Sequence, residues 1–266
     1  MKEIVFIKWG GSLITDKSKP FTPNLEIIDS LSQQLKKITT EHPELNIILG
    51  HGSGSFGHSV GNKFKTRVGV RTKEEWHGFS KVWFAARELN SYVMQSLQKQ
   101  NLSSITFPPS TFINSSDGKE NSIFLTTITS ALNANLIPVI HGDVIFDDKL
   151  GGTILSTEDI FFLLTKYFQP NKILLAGIEP YIWEDFPYNT KPIKVISTNT
   201  FDKLQSKLQG SSSIDVTGGM SEKVRIMTEI IKKFPKTKIS IFSGLIPNCL
   251  IQEIENKPIG TLIISE

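Results

Sequence analysis

The sequence predicts an α/β fold: a three-layer αβα sandwich around a mostly parallel central sheet. Five short β-branched runs, at 3–8, 45–50, 136–142, 172–177 and 238–244, are separated by helix-length stretches. The runs are continuously apolar rather than alternating, as in strands buried on both faces. Several end in glycine, at the edge where an open α/β sheet carries its binding loops.

The first run, "EIVFIK", leads into "KWGGS", which supplies Lys8, Gly10, Gly11 and Ser12. Glycines let a backbone present its N–H groups to an anion, and Lys8 and Ser12 add donors; an ordinary tight turn is the competing explanation. The second run opens onto "GHGSGSFGH" (50–58), where Gly52, Gly54 and Gly57 form a literal G-x-G-x-x-G. A dinucleotide site would need an acid ending the next strand about twenty residues on. Glu74 and Glu75 instead begin a helix over 73–100, so that reading is rejected. Trp76, Phe79, Trp83, Ala86, Val93 and Leu97 recur in this helix at helical spacing. "VIFDDKLGGTIL" (144–155) predicts a hairpin with a loose tip, and residues 177–193 an irregular connection. "DVTGGMSEKV" (215–224) sets Gly218 and Gly219 before an amphipathic helix, with Lys223 one turn inside it. Such a helix start attracts anions.

Length and charge narrow the functions. A chain of 266 residues can bury a substantial core, as one large domain or two tightly joined lobes. Its 29 basic and 26 acidic residues leave +3, without the clustered basic face that nucleic acid or a membrane surface would select. The bound anion is therefore expected to be small. Cys249 is the single cysteine, which excludes an internal disulfide and suits a reducing compartment. The apolar run Ile4–Ile7 stops at Lys8 and no run of ~18 apolar residues occurs, so a soluble, cytoplasmic protein is expected. P-loop and protein-kinase motifs are absent, so a nucleotide must be held by other means.

In chain order, "KWGGSLITDK", "HGSGSFGH", "HGDV", "STEDI" and "DVTGGMSEKV" resemble the isopentenyl phosphate kinases of the amino-acid-kinase superfamily, over residues 4 to about 225. The resemblance implies the amino-acid-kinase fold, with a phosphate-acceptor lobe at 1–168 and an ATP lobe at 169–266. It implies transfer of phosphate from ATP, with Mg²⁺, to isopentenyl phosphate in isoprenoid precursor synthesis, by a homodimer. Lys8, Lys17, His58, Glu158 and Asp159 would be catalytic. Lys8, Gly10, Gly11, Ser12, Gly54, Gly218, Gly219 and Lys223 would hold the nucleotide phosphates. Ser53, Gly54, Gly57, His58 and Thr157 would meet the acceptor, and Phe79, Val82, Trp83 and Ala86 its C5 chain. No residue is assigned as a metal ligand.

Transfer between two anions is an electrostatic problem: at ~4 Å and an effective dielectric near 20, each like-charge pair costs about 4 kcal/mol. Lys8, Lys17 and Lys223, with Mg²⁺, are expected to offset it. A phosphate monoester, with a second pKa of about 6, is already largely a dianion at neutral pH, so His58 is expected to donate a hydrogen bond rather than act as a base. The chain departs from the family pattern at Thr157 and Glu158, which stand in place of the Gly and Asp of "SGDD". It also departs at Ser53, where Gly is common, and at "GIEP" (177–180), where an Asp-rich nucleotide segment is usual. Glu158 is the first candidate to orient the lysines and Asp159 the second. A kinase for a phosphonate such as fosfomycin, and a non-catalytic nucleotide or phosphate sensor on the same scaffold, are the competing functions.

Overall fold

The computed structural model describes residues 2–201 and 219–265, with the side chains of His58, Ser59 and Asn62 outside the description. The chain begins β1 (Glu3–Trp9), α1 (Gly11–Ile14), α2 (Leu25–Glu41), β2 (Leu45–His51), α3 (Gly54–Phe64) and α4 (Lys73–Lys99). It continues β3 (Ser104–Thr106), β4 (Ile113–Ser116), β5 (Lys119–Ile123), α5 (Thr126–Asn133), β6 (Ile137–His141), β7 (Asp143–Asp147), β8 (Gly151–Leu155) and α6 (Thr157–Phe168). After these come β9 (Lys172–Gly177), β10 (Ile182–Trp183), β11 (Pro192–Ile193), β12 (Val195–Ser197), α7 (Gly219–Lys233), β13 (Lys238–Ser243), α8 (Cys249–Ile254) and β14 (Thr261–Ile264).

The central sheet has eight strands in the order β12-β14-β13-β9-β1-β2-β6-β3. Only the β13–β14 pair is antiparallel. All five apolar runs are strands of this sheet, and β9 pairs directly with β1, so the sheet is continuous across residue 168. Side chains alternate along each strand. Val5, Ile7 and Trp9 enter a core shared with α2, α4 and α8, whereas Phe6 enters the opposite core, shared with α5, α6 and α7. Both faces are therefore covered, as the unbroken apolar runs require.

Two helices start on capping boxes. Thr72 and Glu75 cap α4, and Ser156 and Asp159 cap α6, each hydroxyl accepting an N–H while the acid returns to the cap nitrogen. The 144–155 hairpin is β7–β8, part of a four-stranded sheet in the order β5-β4-β7-β8. Its tip is tied rather than loose. The Asp147 carboxylate accepts the N–H groups of Asp117, Gly118, Lys149 and Leu150 and the Ser115 hydroxyl. The 177–193 connection contains the short β10–β11 pair.

Burial disfavours the Asp147 charge, but the Ser115 hydroxyl and the converging N–H groups outweigh it and hold the carboxyl well below the usual range. A depressed folded-state pKa gives stability that is present above the ordinary Asp pKa and lost as pH falls below it. Asp147→Asn, which turns one acceptor into a donor facing donors, is expected to cost about 1–3 kcal/mol at neutral pH. The difference from the parent should shrink in thermal melts below about pH 4.

Candidate active site

Alternation along β1 puts Lys8, like Phe6, on the face that α6 and α7 cover. There its Nζ lies 2.9 Å from Glu158 Oε1, and Lys223 Nζ lies 4.0 Å from the same oxygen. Lys8 is 6% exposed and Glu158 7%. Burial disfavours the Glu158 charge, but Lys8 and then Lys223 outweigh it and keep the carboxyl below its ordinary range. An anion therefore sits between two cations at the sheet edge. Of the two acidic candidates, Glu158 meets the lysines. Asp159 Oδ2 accepts from the Ser156 N–H and hydroxyl at 2.9 and 2.7 Å, and faces Arg67 at 3.7 Å.

The glycine loops after β1 and β2 pack against one another. A methyl on Gly11 would lie 2.4 Å from the Gly54 nitrogen, and one on Gly52 would lie 2.7 Å from the Gly11 nitrogen. Thr15 links them, its hydroxyl donating to the Gly11 carbonyl at 2.7 Å and accepting the Ser55 N–H at 3.0 Å. Gly10 differs from the reading of the turn as a row of open donors: its N–H bonds the Ala176 carbonyl at 2.7 Å. Its N–H belongs to sheet pairing, while the residue itself lines the cavity over these loops. The unengaged donors of the first loop are those of Gly11 and Ser12, at the start of α1, where a helix leaves N–H groups unpaired.

A cavity of about 320 Å³ lies over these groups. Its lining includes the polar groups Lys8, Glu158, Gly11, Ser12, Ser53, Gly54, Lys17, Thr157, Gly219 and Lys223 and the apolar or aromatic groups Ile178, Tyr181, Ile182, Trp183, Phe186 and Met220. Gly218 lies outside the described residues. His58 is on the second turn of α3, its side chain outside the description. Gly57 packs against Ser53, where a methyl would meet Oγ at 2.4 Å, and does not line the cavity. The Thr157 hydroxyl donates to the His51 carbonyl at 2.7 Å. Phe79 and Val82 close a separate core with Val70, Val144 and Ile154, and Trp83 packs against it. Only Ile154 of that core reaches the cavity, so these residues and the buried Ala86 stand outside its lining. Trp76, placed on the apolar face by its spacing, is instead exposed, with its ring against Phe79 and Phe146.

The aromatic part of the lining escaped the sequence reading, which took residues 177–193 only as an irregular connection although Tyr181 and Trp183 stand two residues apart there. Their rings meet edge to face at 5.9 Å, and Trp183 Nε1 donates to Glu179 at 2.8 Å. The cavity lining thus combines N–H and ammonium donors with apolar and aromatic side chains. Such a site suits a nucleotide beside a second anion. Among the described residues no group of three or more His, Cys, Asp or Glu could hold a metal ion. No helix among them is long and apolar enough to cross a membrane.

Sheet and site define an α/β protein built to bring two anions together, the task of a phosphotransferase. The amino acid kinase family model matches residues 3–243, and the chain belongs to that family. It is 32% identical to an isopentenyl phosphate kinase of Methanocaldococcus jannaschii, with 98% of each chain covered. It is 27% identical to one of Thermoplasma acidophilum, over 98% of this chain and 100% of that one. A solved isopentenyl phosphate kinase structure superposes with a TM-score of 0.81 at 20% identity, covering 98% of this chain and 99% of that one, a likeness of fold.

Glu158→Gln leaves Lys8 buried beside a neutral amide. It is expected to lower stability by about 3 kcal/mol, as thermal or urea unfolding would measure. Gly11→Ala is expected to push the two loops apart and reduce turnover about a hundredfold, the cost of misplacing reacting groups by an ångström. Steady-state kinetics beside a melt would separate that loss from unfolding.

Proposed function

We propose that this chain transfers the terminal phosphoryl group of ATP to isopentenyl phosphate, yielding isopentenyl diphosphate and ADP. The observation that carries this reading is the pair of ammonium groups, Lys8 and Lys223, held by one buried carboxylate between two facing glycine loops. Full-length relatives named isopentenyl phosphate kinase support the choice of acceptor.

In this reading the nucleotide base lies toward Tyr181 and Trp183, and its phosphates lie along Gly11, Ser12 and Gly219. The acceptor phosphate meets the N–H groups of Ser53 and Gly54, with His58 as a further donor. An acceptor oxygen attacks the terminal phosphorus while the bond to the ADP oxygen breaks. The dianionic acceptor has no proton to lose at its attacking oxygen, so no general base is required. Lys8, Lys17 and Lys223 balance the charge gathered on the transferring group. Magnesium expected with ATP finds no protein ligand cluster among the described residues, and no step here depends on one. Ile154, which lines the cavity, packs in one core with Phe79 and Val82, against which Trp83 lies, and gives the acceptor's apolar chain a surface to meet.

The test is ADP release with Mg²⁺-ATP and a panel of acceptors: isopentenyl phosphate, longer prenyl phosphates, fosfomycin and a nucleoside monophosphate. Preference for isopentenyl phosphate is expected; turnover of another acceptor in its place would overturn the reading. Lys17 is exposed at the cavity rim. Lys17→Ala is therefore expected to lower kcat about a hundredfold or more, as for other groups that stabilise transferring charge, with the melting temperature unchanged.

A further inference from the structure

His51, the last residue of β2, has no part in the reaction as proposed above. Alternation sets it on the face of Ile47 and Leu49, toward α4. Its register partner is His141, which ends β6, and the two buried rings stack with centroids 5.2 Å apart and planes at 10°. His51 Nε2 lies 3.1 Å from Asn90 Oδ1 on α4, and Nδ1 lies 3.0 Å from the Gly52 carbonyl oxygen. Burial, and next the neighbouring His141, push its pKa down to about 3, so the ring is neutral at physiological pH and carries one N–H. With that proton on Nδ1 the ring donates to the Gly52 carbonyl, and Nε2 accepts from the Asn90 side-chain amide turned with its nitrogen toward the ring. Its own carbonyl accepts the Gly142 N–H at 3.2 Å and the Thr157 hydroxyl at 2.7 Å.

The contact with Gly52 has a directional consequence. Phe186–Pro187 is the only cis peptide among the described residues, so the Gly52–Ser53 peptide is trans. In a trans peptide the carbonyl oxygen and the following N–H point in opposite directions. With the Gly52 oxygen turned onto the His51 ring, the Ser53 N–H faces away from it, on the side where Gly52, Ser53 and Gly54 line the cavity. Glycine has little steric resistance to rotation of this peptide. A side chain at position 52 could supply that resistance, but it would collide with Gly11 at 2.7 Å. The restraint must come from a neighbour, and the His51 ring is in place to provide it.

We infer that His51 is a positioning residue: its imidazole holds the Gly52 carbonyl so that the Ser53 N–H is presented to the acceptor phosphate. The role rests on the phosphoryl-transfer reading above and adds to it the group that sets the acceptor donor. Loss of the bond lets the peptide turn its oxygen toward the cavity, replacing a donor by an acceptor that repels phosphate.

Asparagine places an amide nitrogen near the position of imidazole Nδ1, glutamine near that of Nε2, and leucine neither. The test measures KM for isopentenyl phosphate, KM for ATP, kcat and melting temperature in the full chain carrying His51→Asn, His51→Gln or His51→Leu. It also follows the ¹⁵N–¹H resonance of Ser53 during titration with isopentenyl phosphate and with inorganic phosphate. His51→Asn should keep the acceptor KM within about threefold of the parent, while His51→Gln and His51→Leu raise it about tenfold or more, the net worth of one hydrogen bond to an anion. KM for ATP should stay constant, and the Ser53 resonance should respond to phosphate in the parent and His51→Asn alone. Asn90→Ala, which frees the ring from α4, should raise the acceptor KM in the same direction if His51→Leu fails to fold. An acceptor KM that follows melting temperature, or that changes equally in the asparagine and glutamine variants, would overturn the role, as would a Ser53 resonance indifferent to phosphate in the parent. If the parent does not turn over isopentenyl phosphate, the proposed reaction fails, and the Ser53 titrations decide the positioning role by themselves.

Discussion

Glu158 is a buried carboxylate shared by two ammonium groups, and the placement of both in the cavity lining follows from it. A buried ion is costly unless opposite charge is close, and here Lys8 arrives from β1 and Lys223 from α7. The arrangement joins the central strand of the sheet to two helices packed on one face. It also sets both ammonium groups in the lining of the cavity. Structural and chemical demands on Glu158 therefore coincide: the group that makes Lys8 tolerable inside the fold also aims it.

Several devices serve that placement. Ser156 and Asp159 begin α6 at a defined residue, so Glu158 enters its first turn at a set angle. Asp147 closes the hairpin whose second strand delivers the chain to Ser156. Glycine-on-glycine contact draws the loops after β1 and β2 together, bringing the backbone of both to one cavity. Beneath the second loop, His51 engages α4 through its ring and α6 through its carbonyl, so both faces of the sheet contribute to the geometry of one turn. Buried polar groups of this kind are tolerated because nearly all of their bonds are made within the protein.

Much of this was legible in the linear chain. Unbroken apolar runs, several ending in glycine, identified the central strands, and the three glycine turns at 8–12, 52–58 and 218–223 were read as one constellation, with Glu158 added by the family resemblance. Other residues were misread for identifiable reasons. Gly10 looks like an open donor in sequence, yet its N–H continues the pairing with β9. Asp147 looked like a loose turn because local composition cannot reveal N–H groups converging from residues 117 and 118, contributed by a distant hairpin. Phe79 and Val82 have the spacing of a pocket wall, but Val144 and Ile154 from the β7–β8 hairpin cover them. The signal for Asp159 was present: Ser156 and Asp159 have capping-box spacing, which competes with any catalytic reading of the acid.

The sequence by itself determined the α/β class, five of the eight strands of the central sheet, the helix of 73–100 and the glycine turns after β1 and β2, because these depend on period and backbone freedom, which are local. Only the tertiary structure decided which acid meets the lysines, that the Gly10 N–H is engaged in sheet pairing, and that Tyr181 and Trp183 line the same cavity as the lysines. It alone brought His51 beneath the Gly52–Ser53 peptide. Each of these depends on groups distant along the chain meeting within a few ångströms, and such proximity follows from strand register and helix packing, which no short stretch of sequence encodes.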